Sequence, residues 1–296
     1  MITVTKQDIC AAMKELGIKE GDILLFHSSL KSLGQVENGA DTVIDGLLEA
    51  VGKTGTLVAP TLVQKDFMHA YENWNKDTSP SDVGLITETL RRRPEALRSN
   101  QATHSCAAIG AQAAYLTTGH ETVGPRFHLY GDYAFSYGSP WQKMFDLGGK
   151  VLFLGVTTAP NTYRHFMEAR LIERALNAIR DDAVRNSLKA ELATYPQYAE
   201  YAHQLSQKAK NSTSMTLLSP HIDAKSMQKM EPILARCESI VRYGRCGNAK
   251  LILMDIFRMV LSCEAIVTAD PEAYMAPEEA DWFRRAWAAA EPAETL

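Results

Sequence analysis

The stretch Gly148-Gly-Lys-Val-Leu-Phe-Leu-Gly-Val-Thr-Thr-Ala-Pro-Asn-Thr-Tyr-Arg-His-Phe-Met-Glu168 decides the fold. Residues 151–156 form an almost continuous apolar run with glycine on both sides, which is typical of a strand covered on both faces. Pro160 cannot continue a strand, and Asn161-Thr162 offers side-chain oxygens that can cap the first turn of a helix. The stretch therefore predicts a buried strand, a short loop and a helix.

The predicted helix places His165 and Glu168 on one face, because residues three apart are neighbours on a helix surface. A carboxylate beside an imidazole holds the ring in one tautomer and supports the charge that it gains with a proton. The pair predicts a general base at the edge of a sheet. The same two residues are also compatible with an ordinary surface pair that has no catalytic role.

Helical and strand patterns alternate through the first part of the chain. Residues 5–16 and 39–51 have helical spacing of apolar residues, whereas 22–27 and 56–60 are short apolar runs. This alternation and the length of 296 residues predict a single α/β domain over 1–296, with a central mixed sheet flanked by helices. Residues 170–236 predict a helical addition in the C-terminal half, with a break near Tyr195-Pro196 and a strand over 214–218.

Composition excludes several classes of protein. The net charge of -4 and the lack of a basic run argue against a nucleic-acid partner. No apolar run approaches the roughly 20 residues of a membrane span, and the N-terminus lacks the apolar core of a signal peptide. The five widely spaced cysteines predict free thiols in a reducing cytoplasm. No pair of them has zinc-site spacing with nearby histidines, so we predict no metal.

The chain has none of the common nucleotide-binding or serine-hydrolase motifs, since it has no GxGxxG, Walker or GxSxG sequence. Loops rich in Ser, His and Thr follow the predicted strands, which is compatible with acyl transfer or hydrolysis. A hydrolase would use Cys106 or Ser105 with His104. Sequence neighbours on a strand point to opposite faces, so this alternative is disfavoured.

Five blocks of sequence, in order, resemble the aminoglycoside 3-N-acetyltransferase family. Together they cover roughly residues 5–170, and Gly244 to Leu253 resembles a weaker sixth block. The five blocks are Gly21-Asp22 through His27-Ser28-Ser29-Leu30; Gly39-Ala40 through Thr56; Arg98-Ser99 through Gly110; Gly138-Ser139-Pro140 through Val156; and Asn161-Thr162-X-X-His165-X-X-Glu168.

The resemblance implies acetyl transfer from acetyl-CoA to an amine of a small-molecule acceptor, an aminoglycoside or a similar aminosugar, as in antibiotic resistance, without a metal. His165, oriented by Glu168, would act as general base in a direct attack. Donors near Ser28, Ser29 or Thr162 would stabilise the tetrahedral oxyanion, and Lys31 suits a phosphate. The coenzyme A contacts implied by the resemblance are His27, Ser28, Ser29, Leu30, Lys31, Ser32, Leu33, Thr103, Ser105 and Thr162.

Two segments depart from the family pattern. Asn100-Gln101-Ala102 stands where the family usually shows a histidine and a proline, which predicts a differently shaped cofactor loop. Residues 170–236 match the family poorly, and we expect them to cover the acceptor side. The acceptor could therefore be a nucleotide-linked aminosugar or a small biosynthetic amine, or the chain could bind coenzyme A without turnover. The sequence leaves a monomer and a homodimer equally open.

Overall fold

A computed structural model describes residues 3–63, 69–194, 218 and 220–290. Its strands, numbered in chain order, are β1 (Thr3–Val4), β2 (Ile23–Ser28), β3 (Gln35–Val36), β4 (Thr56–Pro60), β5 (Leu97–Arg98), β6 (Cys106–Gly110), β7 (Lys150–Leu154), β8 (Val241–Cys246) and β9 (Ala249–Asp255). Its helices are α1 (Lys6–Leu16), α2 (Leu30–Leu33), α3 (Ala40–Val51), α4 (Ala70–Asn73), α5 (Leu85–Arg91), α6 (Ala113–Thr117), α7 (Pro140–Asp146), α8 (Tyr163–Asn177), α9 (Asp182–Ala190), α10 (Ala224–Leu234), α11 (Ile256–Ala269) and α12 (Pro277–Ala289).

Seven strands form one mixed sheet in the order β5-β6-β4-β2-β7-β9-β8. The central strand β2 runs parallel to β4 and β7, and the outer pairings are antiparallel. Because β2, β4 and β7 are parallel, their carboxyl ends meet at one edge of the sheet. The predicted α/β class with a central mixed sheet flanked by helices is confirmed.

The sheet separates two apolar cores. Along β2 and β7, alternate side chains point to opposite faces, so that Leu25 and Phe153 join the core that includes α8 and α11. Phe26 and Leu152 join the core that includes α1 and α3. This double coverage explains why these strands read as continuous apolar runs.

The described part of the C-terminal half contains the predicted additional helices, but the first break between them was not predicted. Helix α8 ends at Asn177, and α9 starts after Asp181, whose carboxylate accepts from the N–H groups of Ala183 and Val184. Because this N-cap starts a new helix, the helical pattern of the sequence is interrupted between Asn177 and Asp182. The break predicted at Tyr195-Pro196 and most of the strand predicted over 214–218 lie outside the described residues. Within the described part, no helix combines the length and apolarity needed to cross a bilayer.

Gly155 joins the end of β7 to the loop that leads into α8, in a left-handed conformation with φ 67°. A Cβ at this position would lie 2.4 Å from the Cβ of Ser32, whose hydroxyl donates to the Gly155 carbonyl at 2.7 Å. Gly148 also has positive φ, at 65°, but a Cβ there would meet nothing within 4 Å. The two glycines share a backbone requirement and differ in available space.

We expect Gly155→Ala to lower the free energy of unfolding by about 3 kcal/mol, because overpacking adds to backbone strain. Gly148→Ala is the matched control and should cost only about 1 kcal/mol, from the backbone alone. Urea unfolding of both variants measures the difference. Equal losses would contradict the steric role assigned to the contact with Ser32.

Candidate active site

A cavity of about 830 Å³ opens at the sheet edge where β2, β4 and β7 end. The loop between β7 and α8 forms one side of it, and the segment between β4 and α5 forms another. Polar and apolar residues share the wall, and the described lining comprises His27, Ser28, Pro60, Leu62, Asp82, Val83, Gly84, Thr87, Thr103, His104, Tyr130, Val156, Pro160, Thr162, Arg164 and His165.

His165 and Glu168 form a buried hydrogen-bonded pair in the first turns of α8. The Nδ1 atom of His165 lies 2.8 Å from Oε2 of Glu168. The side chain of His165 is 7% exposed and that of Glu168 is fully buried. Because a carboxylate only accepts, Nδ1 must donate, and the remaining nitrogen Nε2 holds the lone pair. That nitrogen accepts from Nε of Arg164 at 3.1 Å.

Glu168 is surrounded by further donors. Its Oε2 also accepts from Nε2 of His128 at 3.1 Å, and its Oε1 accepts from the backbone N–H of Ile222 at 2.6 Å. Nδ1 of His221 lies 3.3 Å from Oε1. Burial alone would raise the pKa of Glu168, but the neighbouring histidines hold that pKa well below its usual value. The buried carboxylate is therefore ionised.

The histidines around Glu168 differ in protonation. Burial outweighs the attraction of Glu168 and lowers the pKa of His165 to about 3, so its ring is neutral and able to accept a proton. Burial also lowers the pKa of His128. Burial would lower the pKa of His221 as well, but there the Glu168 carboxylate prevails and raises it. His221 is thus the histidine of this group that most readily holds the positive charge opposite Glu168.

Aromatic rings fix the position of the His165 imidazole. His221 stacks on it with ring centroids 5.1 Å apart, and Tyr130 meets it edge-on at 5.0 Å. His104 and His128 meet it edge-on at 5.6 and 5.9 Å. These contacts restrict the ring to one orientation, as a base at a reaction centre requires.

Several of these residues were not found from the sequence. His120 and His128 are among them, and both are buried. His128 comes from the aromatic, glycine-rich segment before α7 and has no motif around it. His221 lies within residues 170–236, where no block of the family pattern was identified, so only the folded structure brings it to α8.

The coenzyme A contacts implied by the resemblance fall into separate places. His27, Ser28, Thr103 and Thr162 line the cavity, and the N–H of Thr162 donates to Nε2 of His27 at 3.5 Å. Burial, assisted by Arg164, lowers the pKa of His27 to about 3.

The remaining predicted contacts lie around the loop after β2. The N–H of Ser29 donates to the Leu154 carbonyl at 2.9 Å, which ties the loop to β7. Lys31 is exposed and Leu30 half-buried, whereas Leu33 packs in the core below. Ser32 lines a second cavity of about 740 Å³, which also touches Val156 and so adjoins the first.

Hydrogen bonds of Gln101 and Ser105 hold the loop around Thr103 in place. Oε1 of Gln101 accepts from the N–H of His104, and Nε2 of Gln101 donates to the hydroxyl of Tyr71 at 2.6 Å. The Ser105 hydroxyl donates to the Thr61 carbonyl at 3.0 Å and is fully buried, so Ser105 lies in the wall behind the cavity. Gln101 thus has a structural role where the family pattern has a histidine.

The hydrolase alternative gains no support from these positions. His104 directs Nδ1 to the Thr103 hydroxyl at 2.9 Å. Burial raises the pKa of the Cys106 thiol well above its usual value, which disfavours the thiolate. Neither Ser105 nor Cys106 has the arrangement of an activated nucleophile.

His128, His165 and Glu168 also present ligand atoms within 4.8 Å of one another, the spacing of a metal site. Their separations of 2.8 and 3.1 Å are those of hydrogen bonds from ring N–H groups to a carboxylate. Hydrogen bonding therefore accounts for this cluster, and the expectation of a metal-free site stays a prediction.

Comparison with known proteins matches this chain to one family. The model of the family described as aminoglycoside 3-N-acetyltransferase matches residues 25–268. Aminoglycoside N(3)-acetyltransferase III of Salmonella sp is 35% identical over 181 residues, covering 56% of this chain and 60% of that protein. The aminoglycoside N(3')-acetyltransferase-like protein YokD of Bacillus subtilis is 30% identical over 188 residues, covering 56% and 65%. The matched region thus spans less than two thirds of these relatives.

Solved structures share the fold over nearly the whole chain. The apoenzyme of aminoglycoside acetyltransferase AAC(3)-IVa has a TM-score of 0.68 at 24% identity and covers 97% of this chain and 99% of that one. AAC-IIIb, solved as a binary complex with CoASH, has a TM-score of 0.67 at 20% identity and covers 93% and 99%.

The buried neutral histidines predict a stability that falls with acid. Burial lowers the pKa values of His27, His120 and His165 to about 3, whereas an unfolded histidine has a value near 6.5. Between about pH 3 and pH 6.5 the unfolded state therefore binds more protons than the folded state. The contribution of each ring is therefore complete above pH 6.5 and decreases by about 1.4 kcal/mol per pH unit as the pH falls.

We expect urea midpoints to fall steeply from pH 6.5 to pH 5, and His120→Gln to reduce that slope by about one histidine's share. Glutamine can still donate to the Ala134 carbonyl that His120 contacts at 3.1 Å. His69→Gln, at an exposed position, is the control and should leave the slope close to that of the wild type. An unaltered slope in His120→Gln would contradict the assignment.

Proposed function

The chain belongs to the aminoglycoside 3-N-acetyltransferase family, and we propose that it transfers an acetyl group from acetyl-CoA to an amine of an aminoglycoside or a similar aminosugar. The observation that carries this proposal is the His165–Glu168 pair at the wall of the 830 Å³ cavity. Relatives solved with CoASH, with a gentamicin, with apramycin and with sisomicin support the two substrate classes.

The first step of the proposed reaction is deprotonation of the acceptor's ammonium group. An amine at neutral pH is mostly ammonium, which has no lone pair with which to attack a thioester. The ammonium first loses one proton to solvent. As the neutral amine attacks, Nε2 of the neutral His165 ring takes a second proton from its nitrogen, while the Nδ1–H group stays hydrogen-bonded to the ionised Glu168. Glu168 stabilises the imidazolium that forms and stays ionised itself, because His128 and the Ile222 N–H also donate to it.

The amine nitrogen then adds to the thioester carbonyl, and the carbonyl electrons move to its oxygen. The Thr162 hydroxyl is the best-placed donor for this oxyanion, because it lines the cavity and makes no capping hydrogen bond. Collapse of the tetrahedral intermediate breaks the carbon–sulfur bond. The imidazolium returns its proton to the departing thiolate, and the products are an amide and coenzyme A.

The loop from His27 to Leu33 forms the proposed path of acetyl-CoA. His27 and Ser28 lie on the reaction cavity and Ser32 lies on the adjoining one. Arg245 and Lys250 line the second cavity and are exposed, so they suit the nucleotide phosphates. Lys31, exposed and adjacent in sequence to Ser32 of that cavity, is a further candidate. The thioester would then reach His165 past Val156, which both cavities share.

Replacing His165 by asparagine tests the base directly. The asparagine amide can still donate toward Glu168 but has no basic nitrogen, so thiol release from acetyl-CoA should fall by about a hundredfold or more. Calorimetric binding of coenzyme A should stay within a few-fold of the wild type. The assay uses gentamicin and glucosamine as acceptors.

His120→Gln is the control for loss of a buried histidine away from the cavity, and its turnover should stay close to that of the wild type. Full turnover by His165→Asn would contradict the assignment of the base. Binding of coenzyme A without thiol release for any amine tested would instead identify the wild type as a non-catalytic family member.

A further inference from the structure

Arg164 brings a guanidinium to the base without an anionic partner. Its side chain lines the reaction cavity, and its Nε donates to Nε2 of His165 at 3.1 Å. Its Nη1 is buried without a hydrogen-bond partner. Arg170 on the same helix is instead paired with the buried Glu264 at 2.5 Å. Within the part of the chain that the structure describes, no carboxylate forms an ion pair with Arg164.

The guanidinium donors of Arg164 lose their last acceptor when the base acts. A buried N–H without an acceptor is unfavourable, because its desolvation is not compensated, and this is already the state of Nη1. The Nε–H uses the lone pair of His165, which is the lone pair that the reacting amine needs. Since a ring nitrogen has one lone pair, the N–H of the amine displaces the Nε–H. Turnover therefore leaves a second free donor beside the reacting atoms.

The backbone N–H groups at the start of α8 are already in use. The N–H of Thr162 donates to Nε2 of His27 at 3.5 Å. The N–H of Tyr163 donates to Oδ1 of Asn161 at 3.1 Å, and that of Arg164 donates to the Asn161 carbonyl at 3.2 Å. Backbone N–H groups at a helix N-terminus are common donors to an oxyanion, but these three have acceptors within the protein. At this end of the helix, side chains are the available donors.

The tetrahedral intermediate places its oxyanion beside the guanidinium. The amine nitrogen and the oxyanion are bonded to the same carbon, so an amine held at Nε2 of His165 brings the oxygen next to the group that contacts Nε2. The planar guanidinium presents its N–H groups as a fork, and the neutral Thr162 hydroxyl adds a donor at the cavity wall. Glu168 then faces the imidazolium and the oxyanion faces the guanidinium, so each cation has an anion beside it.

We propose that Arg164 is a further catalytic residue, whose guanidinium donates to the thioester carbonyl oxygen and stabilises the oxyanion; this inference rests on the function proposed above. A neutral carbonyl oxygen accepts weakly, whereas an oxyanion accepts strongly from a cationic donor. The interaction therefore lowers the barrier more than it tightens the binding of acetyl-CoA. When the intermediate collapses, the oxygen returns to a carbonyl and Nε2 gives its proton to the thiolate. The Nε–H of Arg164 then regains the lone pair of His165.

Turnover distinguishes this role from binding of the substrates. The acceptor is gentamicin or glucosamine, whichever the wild type acetylates faster. Arg164→Leu should lower kcat for thiol release from acetyl-CoA by about a hundredfold and leave both KM values within a few-fold of the wild type. Arg164→Lys should recover part of the loss, because charge is kept and the fork is lost.

Arg236→Leu, at an exposed position, is the control for loss of an arginine and should turn over like the wild type. A kcat of Arg164→Leu close to that of the wild type would overturn the proposal.

An analogue of the oxyanion tests the site without an acceptor. Trifluoroacetonyl-CoA has an electron-poor ketone that water converts to a tetrahedral diol, and an ionised hydroxyl of this diol resembles the oxyanion. Calorimetry should show that the wild type binds it at least about tenfold more tightly than coenzyme A. Arg164→Leu should lose that preference and keep its affinity for coenzyme A, which also shows that the variant is folded. Equal weakening for both ligands would assign Arg164 to cofactor binding and refute its role at the oxyanion.

The two measurements separate this inference from the proposed function. If the wild type released no thiol with any amine, the proposed function would fail. A preference for trifluoroacetonyl-CoA that depends on Arg164 would still support the oxyanion site. A wild type that binds trifluoroacetonyl-CoA no more tightly than coenzyme A would refute the inference, even if its acetyltransferase activity were high.

Discussion

The buried Glu168 carboxylate is the constraint on which the site depends. An ion without solvent is tolerated only where donors replace its hydration, and here the donors come from distant parts of the chain. His165 lies on the same helix, His128 in the segment before α7, and His221 and Ile222 in the segment before α10. The negative charge thereby joins these segments and sets the tautomer of His165.

The sequence predicted those parts of the fold and site that depend on local pattern. The strand of the central stretch, the helix after it and helix α1 all follow from neighbouring residues. The i,i+3 pair of His165 and Glu168 also follows from the local sequence. Each of these features requires only a few consecutive side chains, so periodicity and cap chemistry suffice to find it.

Long-range contacts were beyond such reasoning. His128 and His221 meet Glu168 across large separations in sequence, and nothing near them indicates a partner. Gln101 was expected to alter the cofactor loop, and the structure explains how its amide serves there: it holds His104 and Tyr71 together. The reach of Arg164 toward its neighbour's ring nitrogen depends on side-chain direction, which spacing alone does not specify.

The pairing of β2 with β7 has a consequence for how the chain is made. Residues 23–28 lie in the middle of the sheet, and one of their two neighbours is residues 150–154. During synthesis, β2 leaves the ribosome long before that neighbour exists, so one edge of this buried strand stays without its hydrogen-bonding partner. Such non-local pairing slows folding and leaves an exposed strand edge open to association with other chains. The arrangement that brings the carboxyl ends of β2 and β7 to one cavity thus leaves β2 with an unpaired edge until residues 150–154 have been made.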